Sequence, residues 1–293
     1  MKHFSILASL AALLLCMSCA DANRQYVRKA VRIMDKQGLF AEGAEWKSAR
    51  ADALHAKPAS LEEAQEVVRA AAKVAGGKHS FVQPAGSVAA DATSEWPVPT
   101  VVVAEGGVPV VTLPPFSGNA SEGVKYALAV LSAIPEDIPG VVIDLRGNTG
   151  GNMFPMIAAV HRFLPADDET LRFRTRGKTQ WIPLTYAVQV AGVPQQSRIA
   201  CPVAILTDDH TASSGEATLI CFRGLDYVRV FGGPTAGYAS ANQPFALPNG
   251  DHLVLTTGCD LARTGEVFCD DPIEPDVLTS TPLEDALEWI NKF

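Results

Sequence analysis

The run Val141–Gly151, VVIDLRGNTGG, constrains this chain more than any other stretch. Its apolar start suits a strand covered on both faces. It ends in Asp-Leu-Arg and breaks into glycines, and a helical pattern from Asn152 to Leu164 follows directly. A second corner of the same kind, His210–Glu216 (HTASSGE), follows the apolar run Pro202–Leu206 and places Ser213 where the chain enters another helix. A strand-to-helix corner exposes a hydroxyl oxygen beside backbone N–H groups and the positive end of a helix. A glycine turn nearby offers bare N–H groups to a developing oxyanion. The pair points to covalent acyl transfer.

The 293 residues suffice for one large domain, or for a domain with a cap. An apolar share of 47% without low-complexity tracts describes a globular protein. A net charge of −8 with scattered Lys and Arg excludes a nucleic-acid partner. Lys2 and His3 precede an apolar run, Phe4–Leu15, that reads as an export signal and is too short for a permanent membrane span. Two cleavage readings stand. Ser18-Cys19 resembles a bacterial lipoprotein box, although Cys16 sits where an aliphatic residue is usual, and Ala20-Asp21-Ala22 suits ordinary signal peptidase. The first is preferred, which gives a signal peptide over 1–18, lipid anchoring to a membrane at Cys19 and a place in the bacterial cell envelope. The second gives a secreted protein.

Export permits disulfides among Cys201, Cys221, Cys259 and Cys269. Of the three full pairings that four cysteines allow, one with Cys259–Cys269 is preferred, because LARTGEVF between them closes a hairpin. Cys221 falls in a helical pattern and reads as a buried thiol. The spacings fit no zinc site, so neither a metal nor a cofactor is expected.

Residues 23–77 read as a helical segment. Tyr26, Val27, Ala30, Val31 and Met34 form a stripe, and Ser60 with Glu63 starts a helix that stops at Gly76-Gly77. Ser87–Pro99 reads as a surface connection. From residue 78 to 293 strands and helices alternate: strands at Val101–Val103, Val108–Leu113, Gly140–Asp144, Pro202–Leu206 and Tyr227–Phe231, and helices at Ala120–Ala133 and from Ser214. Pro244–Leu247 and His252–Thr256 make a hairpin around Pro248-Asn249-Gly250. Thr281, Pro282 and Glu284 are the cap, N1 and N3 of a last helix. The fold class is α/β behind an N-terminal helical segment.

The segments IDLRGNTGGNMFPMI (143–157), TASSGEAT (211–218), GGPTAGYASANQPFALPNGDHLVLTT (232–257) and IEPD (273–276) fall in the order seen in the C-terminal processing, or tail-specific, serine peptidases. The chain resembles that family, and within it the nisin-resistance-protein type. The resemblance implies a crotonase- or ClpP-like core. The gap from Phe81 to Val108 is too short for the PDZ module that many members carry. The resemblance also makes Ser213 the nucleophile, against the competing reading in which Ser213 and Glu216 are only a capping box. Glu216 either serves the site or caps the helix.

A serine hydroxyl needs an adjacent base. The tail-specific branch places a lysine directly after its Thr-x-Gly motif, but here Thr235-Ala236-Gly237 is followed by Tyr238. The other branch draws a histidine from an x-His-Ser-aromatic segment, which matches Lys78-His79-Ser80-Phe81 and makes His79 the general base. His210, beside Asp208 and Asp209, reads as a solvated or orienting residue. His161 falls in a helix, His55 in a loop and His252 in a hairpin. The N–H groups of Gly150, Gly151 and Ser214 are the expected oxyanion donors, and Asp144 with Arg146 a structural pair. The function expected is an exported serine endopeptidase acting on bacteriocin-like peptides or protein C-terminal segments. An inactive peptide-binding protein on this fold and a non-peptide ester hydrolase are the alternatives.

Overall fold

The computed structural model describes residues 21–86, 96–167 and 169–293. The signal segment, Cys19 and residues 87–95 of the expected connection lie outside the described residues. The chain divides into two compact units. The first comprises the described residues up to Asp91 together with Asn242–Thr257, and the second runs from Ala92 to Ala241 with Gly258–Phe293.

In the first unit, helix α1 (residues 21–37) buries the stripe Tyr26, Val27, Ala30, Val31 and Met34. Helix α2 (Gly43–His55) buries only Trp46 and Ala53, so it is held mainly by its neighbours. His55, expected in a loop, is its last residue. The helix ends three residues before Pro58, whose ring disfavours helical geometry at Lys57. Helix α3 (Leu61–Gly76) starts on the Ser60 Oγ, which accepts the Glu63 N–H, while the Glu63 carboxylate reaches back to the Ala59 N–H. Strand β1 (Phe81–Gln83) follows.

The second unit opens with β2 (Thr100–Val103), β3 (Pro109–Thr112), α4 (Ala120–Leu131), β4 (Val141–Asp144) and α5 (Met153–Ala159). Then come β5 (Leu171–Thr175), β6 (Thr179–Ile182), α6 (Leu184–Ala191), β7 (Val203–Thr207), α7 (Ser214–Ile220) and β8 (Val228–Gly232). After β9 (Ser240–Ala246) and the long β10 (His252–Leu261), the chain closes with β11 (Val267–Phe268), β12 (Val277–Leu278) and α8 (Pro282–Ile290).

Strand order in the main sheet is β12-β8-β7-β4-β3-β2, parallel except for the antiparallel edge strand β2. Alternate residues of its central strands enter different cores. Val141, Ile143, Val203 and Ile205 join the larger cluster with α4 to α7. Val142, Ala204 and Leu206 join a smaller one with Ala286 and Ile290 of α8. Covering both faces explains why Val141–Ile143 of β4 and Val203–Leu206 of β7 are apolar without alternation. Each fully buried aliphatic side chain contributes about 1.5–3 kcal/mol. Two consequences place the chemistry: β4 and β7 are hydrogen-bonded neighbours, and parallel strands bring both of their following corners to one end of the sheet.

The second half of β10 pairs with β5 and β11 in the second unit. Its first half pairs with β1 in the first unit, where Leu253 and Leu255 pack with the helices. Cys259 and Cys269 form the expected disulfide, and Cys201 and Cys221 are buried thiols. Among the described residues no helix is long and apolar enough to cross a membrane.

Candidate active site

The corners after β4 and β7 are stitched together by short bonds. The Ala212 N–H donates to the Asn148 carbonyl at 2.9 Å, and the Thr211 hydroxyl to the Leu145 carbonyl at 2.9 Å. Asp208 accepts the N–H groups of Gly147, His210 and Thr211. Asp144 grips Arg146 in a two-pronged pair at 2.9 and 2.6 Å, which stiffens the exit from β4.

Ser213 stands at the junction of β7 and α7 with φ 52° and ψ −113°. It is the single non-glycine residue with positive φ among the described residues. Such a conformation costs on the order of 1–3 kcal/mol and persists where the surroundings impose it. Gly150 is one of those surroundings: a Cβ there would stand 2.7 Å from the Ser213 Cβ and 3.0 Å from the Ser214 nitrogen. Ser213 itself is partly exposed, and Ser214 is buried with its hydroxyl donating to the Gly151 carbonyl at 2.6 Å.

The two glycines are held in the turn in different ways. Gly150 donates to the Asn148 Oδ1 at 2.9 Å, so its N–H already has an acceptor within the turn. The peptide of Gly151 bridges to Phe116 through its neighbours, with Phe116 N–H to Gly150 O and Asn152 N–H to Phe116 O. Asn148, which the sequence reading passed over, is fully buried and makes this turn possible. Its Nδ2 donates to the Leu113 carbonyl at 2.8 Å while its Oδ1 holds Gly150. The side-chain amide supplies both the donor and the acceptor that these two bonds need. The sole local signal was an Asn inside a glycine turn.

Glu216 is fully buried and accepts four hydrogen bonds. Its Oε2 takes the N–H groups of Ser213 at 2.9 Å and Tyr238 at 2.7 Å. Its Oε1 takes the Thr235 hydroxyl at 2.5 Å and the Gly237 N–H at 2.9 Å. Burial raises its pKa, and the donors from Thr235, Tyr238, Ser213 and Gly237 act against that. Both oxygens are engaged by backbone and Thr235, so Glu216 ties the Ser213 corner to the Thr235–Tyr238 strap. Asp260, also buried, is pushed well above the usual carboxylate range by burial and by the charge of Glu216.

His79 belongs to the first unit, in the turn between α3 and β1. Its carbonyl accepts the Asn242 side-chain amide at 2.9 Å, and Ser80 beside it is bonded to Thr256. Burial, and then the Lys78 charge, lower the imidazole to about 4. It is therefore neutral at physiological pH. The other histidines have different surroundings. His161 accepts the Gln196 N–H at Nε2 while its Nδ1 meets the Ala158 carbonyl, which fixes a neutral structural tautomer. His210 is exposed and pairs with the exposed Asp209. His252 starts β10.

A profile of peptidase family S41 matches residues 107–279. The nisin-resistance protein of Lactococcus lactis subsp. lactis is 32% identical over 278 residues, covering 91% of this chain and 86% of that protein. A probable CtpA-like serine protease of Staphylococcus aureus (strain COL) is 25% identical over 186 residues, 64% of this chain and 36% of that longer protein. Among solved structures, a lipoprotein from Streptococcus agalactiae matches with a TM-score of 0.83 at 29% identity, covering 92% of this chain and 96% of that one. The photosystem II D1 C-terminal processing protease matches with a TM-score of 0.64 at 13% identity, covering 88% and 93%, a likeness of fold.

Proposed function

The chain belongs to peptidase family S41 and is a serine-type peptidase, and from that premise we propose that it is an exported endopeptidase in which Ser213 is the nucleophile and His79 the general base. The observation that carries this reading is the strained backbone of Ser213, braced by Gly150. A capping serine does not need φ 52°, whereas a nucleophile presented on a sharp strand-to-helix turn does.

In the proposed reaction the Ser213 Oγ attacks a peptide carbonyl and His79 takes its proton. The N–H groups of Gly151 and Ser214 stabilise the oxyanion. Collapse expels the amine, which takes the proton from His79. Water then attacks the acyl-enzyme, with His79 again as base, and Ser213 is regenerated. Tyr238, standing where the lysine branch carries its base, favours the histidine, and the depressed imidazole pKa keeps it in the accepting form. Glu216 positions Ser213 and does not touch the substrate.

Likeness to the nisin-resistance protein supports bacteriocin-like peptides as the substrate class, with protein C-terminal segments as the other candidates. Likeness to a streptococcal lipoprotein supports lipid attachment at Cys19 and a place in the cell envelope.

One experiment tests the nucleophile. A fluorophosphonate probe should label the wild type at Ser213 and leave Ser213→Ala unlabelled, while an extracellular peptide library should be cut by the wild type alone. Labelling without peptide cleavage favours an ester hydrolase, and no labelling favours a binding protein. Expression with labelled palmitate tests the anchor: label in the wild type and none in Cys19→Ala is the expected result.

A further inference from the structure

The backbone of Ser213 is held by a relay of hydrogen bonds that leaves the corner and ends at a covalent bridge. Glu216 accepts the Ser213 N–H on one side and the Thr235 hydroxyl on the other. The same Thr235 oxygen accepts the Ile273 N–H at 2.8 Å, and the Thr235 N–H donates to the Ile273 carbonyl at 3.1 Å. Thr235 thus joins two segments and is itself buried. Gly237, which also donates to Glu216, lies flat on the segment before Ile273. A Cβ at Gly237 would stand 2.8 Å from the Asp271 carbonyl carbon and 3.0 Å from the Asp270 oxygen. Asp270 to Ile273 therefore form the floor on which the Glu216 strap rests.

The Cys259–Cys269 bridge stands directly before the start of that floor. The floor leaves β11, whose ladder with β10 consists of Asp260 opposite Phe268 and Leu261 opposite Val267. A ladder this short is weak on its own. The Cys259–Cys269 disulfide closes it directly before Asp270. Cys259 is buried and Cys269 partly exposed, so Cys269 is the more accessible half of the bridge.

Resting on the assignment of Ser213 as nucleophile, we propose that Thr235 is a positioning residue for Ser213 and that the Cys259–Cys269 bridge is the outer anchor of this relay, so that opening the bridge slows acylation while the chain stays folded. The co-reactant is a dithiol. Its thiolate attacks the Cys269 Sγ and the bond to Cys259 breaks. The reductant's second thiolate then displaces Cys269 and closes a cyclic disulfide. The two cysteines gain two protons and two electrons, which the dithiol loses.

The test uses the fluorophosphonate probe on the full chain and separates the rate at saturating probe from the half-saturating concentration. Thr235→Val removes the hydroxyl and leaves Glu216 and the Ile273 N–H short of a partner. The expected result is a fall of about tenfold or more in the saturating rate with half-saturation unchanged, and recovery to within about threefold in Thr235→Ser. Wild type treated with dithiothreitol and desalted should fall into the same range, and Cys259→Ser/Cys269→Ser should start there and ignore the reductant. If the reduced chain loses its near-ultraviolet dichroism, the Thr235 pair decides. Wild-type labelling rates in Thr235→Val, or in reduced wild type whose mass has risen by about 2 Da, overturn the proposal. Label at a residue other than Ser213 in untreated wild type removes the nucleophile assignment instead.

Discussion

Gly150 and Ser213 approach so closely that a side chain on one would displace the other: a Cβ at residue 150 would stand 2.7 Å from the Ser213 Cβ. Residue 150 also has φ +100°, a region that L side chains rarely adopt. Gly150→Ala therefore meets both strain and collision. The expected outcome is a loss of about 1–3 kcal/mol in stability together with a loss of Ser213 labelling. Urea unfolding and probe labelling check it; an alanine variant with wild-type values in both would mean that the corner has slack.

Ser213 provides a second test of the same strain. Ser213→Ala keeps a Cβ at φ 52°, whereas Ser213→Gly removes it. Both variants should be inactive, with kcat lower by about 10⁴-fold or more. The glycine variant should be the more stable of the two by about 1 kcal/mol, because relief of the backbone exceeds the extra chain entropy. Equal stabilities from denaturant unfolding would show that the conformation carries no strain.

Glu216 is expected to fail as a tether. In Glu216→Gln one oxygen becomes an amide that cannot accept, so two of the four donors lose their partner and one N–H group faces others. A loss of about 2–4 kcal/mol follows from leaving such buried groups unpaired. Activity should fall with it, without a new pH dependence. A glutamine variant as stable as the wild type would remove the tether role.

What local pattern reveals here is local. The Ser60 and Glu63 cap is legible because both partners lie within one turn, and β4 and β7 are legible because both their faces are covered. Between Leu164 and Pro202 the sequence reading places no element, although β5, β6 and α6 lie there. In β5, Leu171 and Phe173 are buried while Arg174 is exposed, an alternation that a strand should show. In β6, Thr179, Gln180 and Trp181 are all exposed, so no period exists to be read. The site divides in the same way. Ser213 and Glu216 lie in one motif, and their bond is expected of a helix start. Asn148 acts through carbonyls 34 and 35 residues away, and Glu216 through Thr235 and Tyr238, 19 and 22 residues on. No spacing rule announces such partners. Nor does composition tell that the first half of β10 joins the N-terminal helices while its second half, with Cys259, belongs to the other unit.

The pH profile is the sharpest test of His79. An unperturbed imidazole titrates near about 6.5, and the sequence alone puts the acid limb of kcat/KM there. Burial first, and then Lys78, lower His79 to about 4. Only the neutral ring accepts the Ser213 proton, so kcat/KM should rise with pH through about 4 and already be flat by pH 6.5. Stability follows the same linkage. Between the unfolded value of about 6.5 and the folded value of about 4, the unfolded chain binds a proton that the folded one refuses, so stability drops as pH falls through that window. Lys78→Gln removes the second cause and should move the acid limb to higher pH, which a carboxylate elsewhere would not reproduce. His79→Ala should lose nearly as much activity as Ser213→Ala, and the double variant little more, because the two act as a unit. His210→Ala, at an exposed ring paired with Asp209, should cost far less. An active His79→Ala beside a dead His210→Ala would transfer the base to His210 and leave His79 as a histidine at a helix end.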